Sequence, residues 1–156
     1  MIEARRTDTA CLKIDAPPSA VFAAFLDEEA VKAWLPPPGA TAEIEAFEPH
    51  PGGPFRVTLH FASAPGKTSQ NSDRVEATFG ELIEDRRLSW NVHFDSPDPR
   101  YAGLMVMNWT FDPVGESTLV KVEAQNVPPG ISAEDHAQGL EGSLANLARY
   151  VEGRNA

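Results

Sequence analysis

An α+β fold, in which an antiparallel sheet packs its apolar face against one long C-terminal helix, is predicted by three observations. The last stretch, Ile131–Arg154, carries Leu140, Leu144, Leu147 and Val151 at i, i+4, i+7 and i+11, one apolar stripe on a helix. From Thr41 to Val127 the apolar period is two instead. The breaks between these alternating segments are short and rich in Gly, Pro and Asp, so successive strands should pair antiparallel. A helix from Ile131 to Arg154 spans roughly 30 Å and cannot leave its leucines in water. The apolar sheet face is its natural cover.

Each element follows from local chemistry. Thr9–Asp15 alternates weakly and opens the chain as a strand. Ala16-Pro17-Pro18-Ser19 breaks it and places proline at a helix start, where Val21, Phe22, Phe25 and Leu26 follow at helical spacing. Asp27-Glu28-Glu29 punctuates, Ala30–Leu35 forms a second short helix bearing Trp34, and Pro36-Pro37-Pro38-Gly39 stops it. Six strands then follow. Thr41–Phe47 is the first, and Pro51-Gly52-Gly53-Pro54 turns the chain into Phe55, Val57, Leu59 and Phe61. Ala64–Ser72 is polar and small and reads as a loop. Arg74–Glu84 is the third strand, with a bulge expected at Gly80. Leu88, Trp90, Val92 and Phe94 mark the fourth, and Asp95–Arg100 is a turn. Met105, Met107, Trp109 and Phe111 mark the fifth, and Val120, Val122 and Ala124 the sixth. Ser132 is the expected cap of the final helix, Glu134 and Asp135 suit its positive end, and Gly153 is its expected stop.

Bulk properties narrow the function classes. The chain has 156 residues, enough for one domain over 1–156 with a real core. Its net charge of −10 disfavours nucleic acid and anionic membrane surfaces, both of which need a basic face. A single cysteine, Cys11, permits no internal disulfide. Met1–Thr9 lacks the apolar segment of a signal peptide, and no run approaches the roughly 20 apolar residues of a membrane span. A cytoplasmic protein is the expectation.

The element order resembles the helix-grip fold of the START-like (SRPBCC) superfamily. The motifs resemble the branch named after the activator of the 90-kilodalton heat-shock protein ATPase. Ile14-Asp15-Ala16-Pro17-Pro18-Ser19-Ala20-Val21-Phe22 with Trp34 is similar to the branch's opening, and Pro51-Gly52-Gly53-Pro54-Phe55 to its Gly-Gly turn. Gly80-Glu81-Leu82-Ile83-Glu84 with Leu88-Ser89-Trp90 resembles its central strands, and Gly139–Val151 its closing helix. Three positions depart from the branch. Leu140 stands where a helix tryptophan is usual, Leu35 where a second tryptophan usually follows Trp34, and Ala124 where a late-strand histidine is often present. The resemblance implies that positions 124 and 140 face the interior, so the pocket is reshaped and less polar.

The resemblance further implies a cavity between the curved sheet and the last helix. Strand parity assigns its wall to Phe79, Trp90, Val92, Met105, Met107, Trp109 and Phe111. Leu140 and Leu144 contribute from the helix, and Phe25 and Trp34 form one rim. Such walls suit a small hydrophobic ligand, and methionines adapt to irregular shapes. Spacing alone favours a packed core from the same residues; the resemblance adds the cavity.

Reactive groups are few. No His pair has metal-ligand spacing, so no metal or other cofactor is expected. His50 lies in a turn, and His60 and His93 fall on outward strand faces. His136, in the first turn of the last helix, reads as a solvated residue near the cavity mouth. Glu43, Glu45, Glu81, Glu84 and Glu123 look outward, and no carboxylate is assigned to the inner face. Cys11 reads as a small buried apolar residue. Arg56, His60 and His93 leave open a homodimer contact on the outer sheet face.

Binding of a small hydrophobic or lipid-like molecule is therefore the first expectation. A chaperone-cofactor or stress-response module is the second, implied by the branch name alone. A cyclase-, dehydratase- or hydrolase-like enzyme using the same cavity is the third, which a polar cluster inside the pocket would favour.

Overall fold

The computed structural model describes residues 6–36, 39–61, 72–94 and 98–154. The elements are β1 (Arg6–Ile14), α1 (Pro18–Leu26), α2 (Glu28–Trp34), β2 (Ala40–Phe47), β3 (Pro54–Phe61), β4 (Ser72–Ile83), β5 (Arg87–Phe94), β6 (Met105–Val114), β7 (Ser117–Val127) and α3 (Ala133–Arg154). The strands make one antiparallel sheet in the order β1-β7-β6-β5-β4-β3-β2. The sheet curves around α3, which is the predicted helix-grip architecture. Most of the predicted loop at 64–72, the beginning of the 95–100 turn, and residues 1–5, 37 and 38 lie outside the described residues.

The predicted punctuation marks the helices. Pro18 opens α1 at its first turn. The Asp27 carboxylate accepts the Glu29 N–H at 3.1 Å to cap α2. Ser132 Oγ accepts the Asp135 N–H at 3.0 Å and caps α3. α3 runs through Gly153, the predicted stop, to Arg154.

Two glycine positions are fixed by close approach. A Cβ on Gly53 would fall 2.0 Å from the Glu48 carbonyl oxygen, so no other residue fits the turn. That turn is docked on β4: Gly52 N–H donates to Phe79 O at 2.7 Å, and Phe79 N–H donates to Gly53 O at 2.9 Å. The β4–β5 register shifts between Phe79 and Leu82, the expected bulge at Gly80. There the Ser89 hydroxyl accepts the Glu81 N–H at 2.9 Å and occupies the space a Cβ on Gly80 would need.

β1 holds α3 at both ends. Arg6 Nη2 donates to Ile131 O at 2.6 Å, and His136 Nδ1 meets Asp8 Oδ2 at 2.7 Å. At the far end Asp15 N–H donates to Glu152 Oε2 at 2.9 Å. Strand and helix therefore run in the same direction. The seven-residue step from Asp8 to Asp15 covers about 23 Å of strand. The sixteen-residue step from His136 to Glu152 covers about 24 Å of helix. The two rises match, so both tethers close without distortion.

β1 also begins earlier than predicted, and this changes two assignments. Asp8, Ala10 and Leu12 are partly buried and Ile14 is fully buried, while Thr9, Cys11 and Lys13 are exposed. Cys11 is thus an exposed side chain and not the small buried residue expected. Its parity puts it on the solvent face of the strand. Asp8 sits on the same face as the core residues, which makes it the inward carboxylate that the sequence reading did not assign.

Candidate functional site

The inner face of the sheet is divided into a filled end and an open end. α1 and α2 fill one end with rings. Phe25 is fully buried, and its ring centroid lies 4.8 Å from Trp34, 4.9 Å from Trp109, 5.3 Å from Phe111 and 5.7 Å from Trp90. Trp34 is held by its indole N–H, which donates to Ala24 O at 2.9 Å across the α1–α2 corner. Phe79 stacks with Phe55 at 5.7 Å, and Leu144 is buried in the helix stripe. Phe25, Trp34, Phe79, Phe111 and Leu144 are therefore placed in close-packed core and not on a cavity wall. Their inward direction is as predicted; rings of α1 cover Phe111, whereas Phe79 is covered by Phe47 of β2 and Phe55 of β3.

The other end is open. A cavity of about 260 Å³ lies between β3–β6 and the first half of α3. Of the residues assigned from sequence, Trp90, Val92, Met105, Met107, Trp109 and Leu140 line it. The remaining wall comes from residues the sequence reading left out. β3 supplies Phe55, Val57, Leu59 and Phe61, and β4 supplies Val75 and Ala77. Phe94, Leu35 and Ile131 complete the apolar part. The signal for β3 was present in its alternation; what was absent was the knowledge of which sheet end the short helices would fill. At roughly 30 Å³ per water, the cavity has room for about nine water-sized volumes, the small end of ligand sites.

Both tryptophan-to-leucine departures fall on this wall. Leu35 and Leu140 each line the cavity, so two smaller side chains stand where the resembled branch usually places indoles. Gly139, on the same helix face, adds no side chain at all, and a Cβ built there meets no atom within 4 Å. Ala124 is fully buried on β7, as its inward assignment required.

Polarity enters from an unexpected side. His136 lines the cavity, and only 11% of its side chain is exposed, as is the case for Asp8. The expectation of a solvated histidine is corrected: α3 lies against β1, and the Asp8 carboxylate covers the imidazole. Asp8 is also bound by Arg6 Nε at 2.8 Å. Burial alone would raise the Asp8 pKa. The hydrogen bonds from Arg6 and His136, with their charges, outweigh burial and hold the carboxyl below its ordinary value near 3.8. An ionised carboxylate only accepts, so His136 Nδ1 carries the proton in this contact and Nε2 is left for another partner. The expected less polar pocket is thus apolar along its walls and polar at the His136 end.

Two further polar atoms belong to residues of the cavity wall but are shielded from its space. The indole N–H groups of Trp90 and Trp109 are buried and have no hydrogen-bond partner among the described residues. A buried donor left unpaired costs about 1–3 kcal/mol, and such groups mark sites with another purpose. The other histidines are remote from the cavity wall. His60 pairs with Glu43 at 3.2 Å on the outer sheet face, where Arg56 faces Glu76 at 3.9 Å, and His93 is exposed.

The lowered Asp8 pKa sets a pH dependence. Because the folded value lies below the unfolded one, the contribution is complete above about pH 5. It is lost as pH falls through 3.8 toward the folded value. Urea unfolding between pH 6 and pH 3 should show Asp8→Asn losing less stability than the parent over that range. Parallel profiles would show that the Arg6–Asp8–His136 contacts contribute nothing to the fold.

The model of the family described as "Activator of Hsp90 ATPase homolog 1-like protein" matches residues 15–152, nearly the whole fold including α3. The chain belongs to this family. A crystal structure of a Chromobacterium violaceum protein superposes with a TM-score of 0.84 at 26% identity, covering 94% of this chain and 96% of that one. A Silicibacter pomeroyi protein that bears the family's name superposes at 0.78 with 14% identity, covering 96% and 99%. A solution structure from Staphylococcus epidermidis gives 0.76 at 15%, covering 98% and 93%. At such identities the last two speak for the fold alone. No curated protein matches the sequence significantly. Among the described residues no helix is long and apolar enough to cross a membrane.

Proposed function

We propose that this member of the family binds a small hydrophobic molecule in the cavity between the sheet and α3. The observation that carries the reading is the division of the inner face. One end is packed with rings, while the other keeps a 260 Å³ space walled by apolar side chains. A cavity lined by Leu, Val, Phe and Met, with few convergent polar groups, is the usual form of a small-molecule site. Leu35, Leu140 and Gly139 keep it open by being smaller than the space would admit.

A ligand that binds only the folded state stabilises it by mass action. At one hundred times its Kd the gain is about 2.7 kcal/mol. For a chain of this size that is a rise in Tm of about 5–10 °C. Thermal unfolding in the presence of medium-chain fatty acids, alcohols, esters and small aromatics reads this directly. If no compound moves Tm at millimolar concentration, the binding reading is lost.

The His136–Asp8 pair is the kind of polar cluster that favours the enzyme reading. A hydrolase also needs a nucleophile within hydrogen-bond reach of its base. Among the described residues Ser143 is the one hydroxyl on the cavity wall, and it lies seven residues from His136, about 10 Å along the helix. This pair cannot act together, so binding ranks above hydrolysis. The chaperone-cofactor reading draws on the family name alone; an unchanged chaperone ATPase rate on addition of the protein would remove it.

A further inference from the structure

We propose that the cavity takes an amphiphile ending in a carboxylate, and that His136, oriented by Asp8 and Arg6, holds that end. The inference rests on the cavity being a ligand site, and it names the ligand's head group.

The chemistry runs from β1 into the cavity. Arg6 Nε donates to Asp8 Oδ1 at 2.8 Å, and Asp8 Oδ2 accepts from His136 Nδ1 at 2.7 Å. Arg6 is itself fixed by its 2.6 Å donation to Ile131 O, one residue before the Ser132 cap of α3. The imidazole is therefore held on one side by a partner that only accepts. Its ring lines the cavity, and Nε2 is the nitrogen that Asp8 does not engage.

Charge decides what that nitrogen meets. Arg6 already offsets Asp8. An imidazolium at His136 would leave one positive charge at the rim of an apolar space, in a chain whose net charge is −10. In the imidazolium form of His136, a ligand carboxylate on Nε2 would complete two cations against two anions and accept a charge-assisted hydrogen bond. An alcohol can donate to Nε2 of a neutral His136 but brings no charge to meet an imidazolium. The room for about nine water-sized volumes fits a chain of medium length.

The test titrates the whole protein at pH 7 with octanoic acid, methyl octanoate and 1-octanol, followed by tryptophan fluorescence, because Trp90 and Trp109 line the cavity. The acid should bind about tenfold more tightly than the ester or the alcohol, the value of one charge-assisted hydrogen bond. His136→Leu should bring the acid's advantage over the ester below about twofold, whatever it does to the ester's own Kd. Asp8→Asn, which keeps the side chain's shape, should cut the acid's advantage in the same direction and serves if His136→Leu does not fold. An acid that binds no better than the ester or alcohol, or an advantage that survives substitution at both positions, overturns the carboxylate assignment and leaves the cavity reading standing. Failure of all three compounds to bind removes both.

Discussion

Replacing Phe25 with alanine will cost the fold about 3–5 kcal/mol, a large part of the 5–15 kcal/mol by which a domain of this kind is stable. Phe25 comes from α1, yet its ring lies within 6 Å of ring centroids from α2, β5 and β6. It is fully buried, so its removal leaves a void bounded by Trp34, Trp109 and Phe111. Those three rings are themselves buried and cannot collapse inward without leaving their own contacts. Loss of several aromatic pairs, each worth about 0.5–1.5 kcal/mol, places the cost near the upper limit. The contrast is Met105→Ala. Met105 is also nearly buried, but it borders space that is already empty, so fewer contacts are lost. Its cost should stay near the lower limit of about 2 kcal/mol for such substitutions. Urea unfolding of both variants, with m-values to confirm an unchanged transition, reads the difference. Equal costs would mean that the inner face is uniformly packed and that its division into filled and open ends is wrong.

That division shows what could be read in the chain and what could not. Period-two alternation assigned every inward residue of β5 and β6, and the 3.6 period assigned Leu140, Leu144, Leu147 and Val151 to the buried stripe of α3. Both are local rules, and both held. Which inward residues meet empty space is set by the docking of α1 and α2, a contact between distant parts of the chain. Phe111 falls into core under the rings of α1, Phe79 falls into core against Phe47 and Phe55 of the neighbouring strands, and Val57 and Leu59 fall on the wall. Asp8 escaped for a smaller reason. A first strand that begins at Thr9 leaves Asp8 out, and the alternation Asp8, Ala10, Leu12, Ile14 needs a start at Arg6. His136 carried a usable signal as well, since it precedes Leu140 by four residues and so shares its helix face. Its low hydrophobicity hid that position; only the carboxylate on the neighbouring strand makes burial of the imidazole tolerable.

The second large effect should separate stability from binding. Gly139 lies on α3 three residues after His136 and four before Ser143, and all three line the cavity. A side chain there has no atom within 4 Å of its Cβ and needs no left-handed backbone. Gly139→Leu should therefore gain up to about 1 kcal/mol of helix propensity, a rise in Tm of about 2–4 °C. The Cβ of a helical residue tilts toward the N-terminus, so the new isobutyl group reaches toward His136 and across the mouth. It would take four heavy atoms' worth of a space that holds about nine water-sized volumes. Affinity for any ligand seated there should fall by tenfold or more even though the protein melts higher. Gly142→Leu is the matched control. Gly142 also faces open space, but it is not part of the cavity wall, so the propensity gain should come without loss of affinity. If both variants melt higher and both bind as tightly as the parent, the ligand sits elsewhere, and the space under Leu140 is a gap in the packing. If only Gly139→Leu loses binding, the occupied volume lies between this turn of α3 and the sheet, because the two substitutions differ in nothing but the direction in which the leucine points.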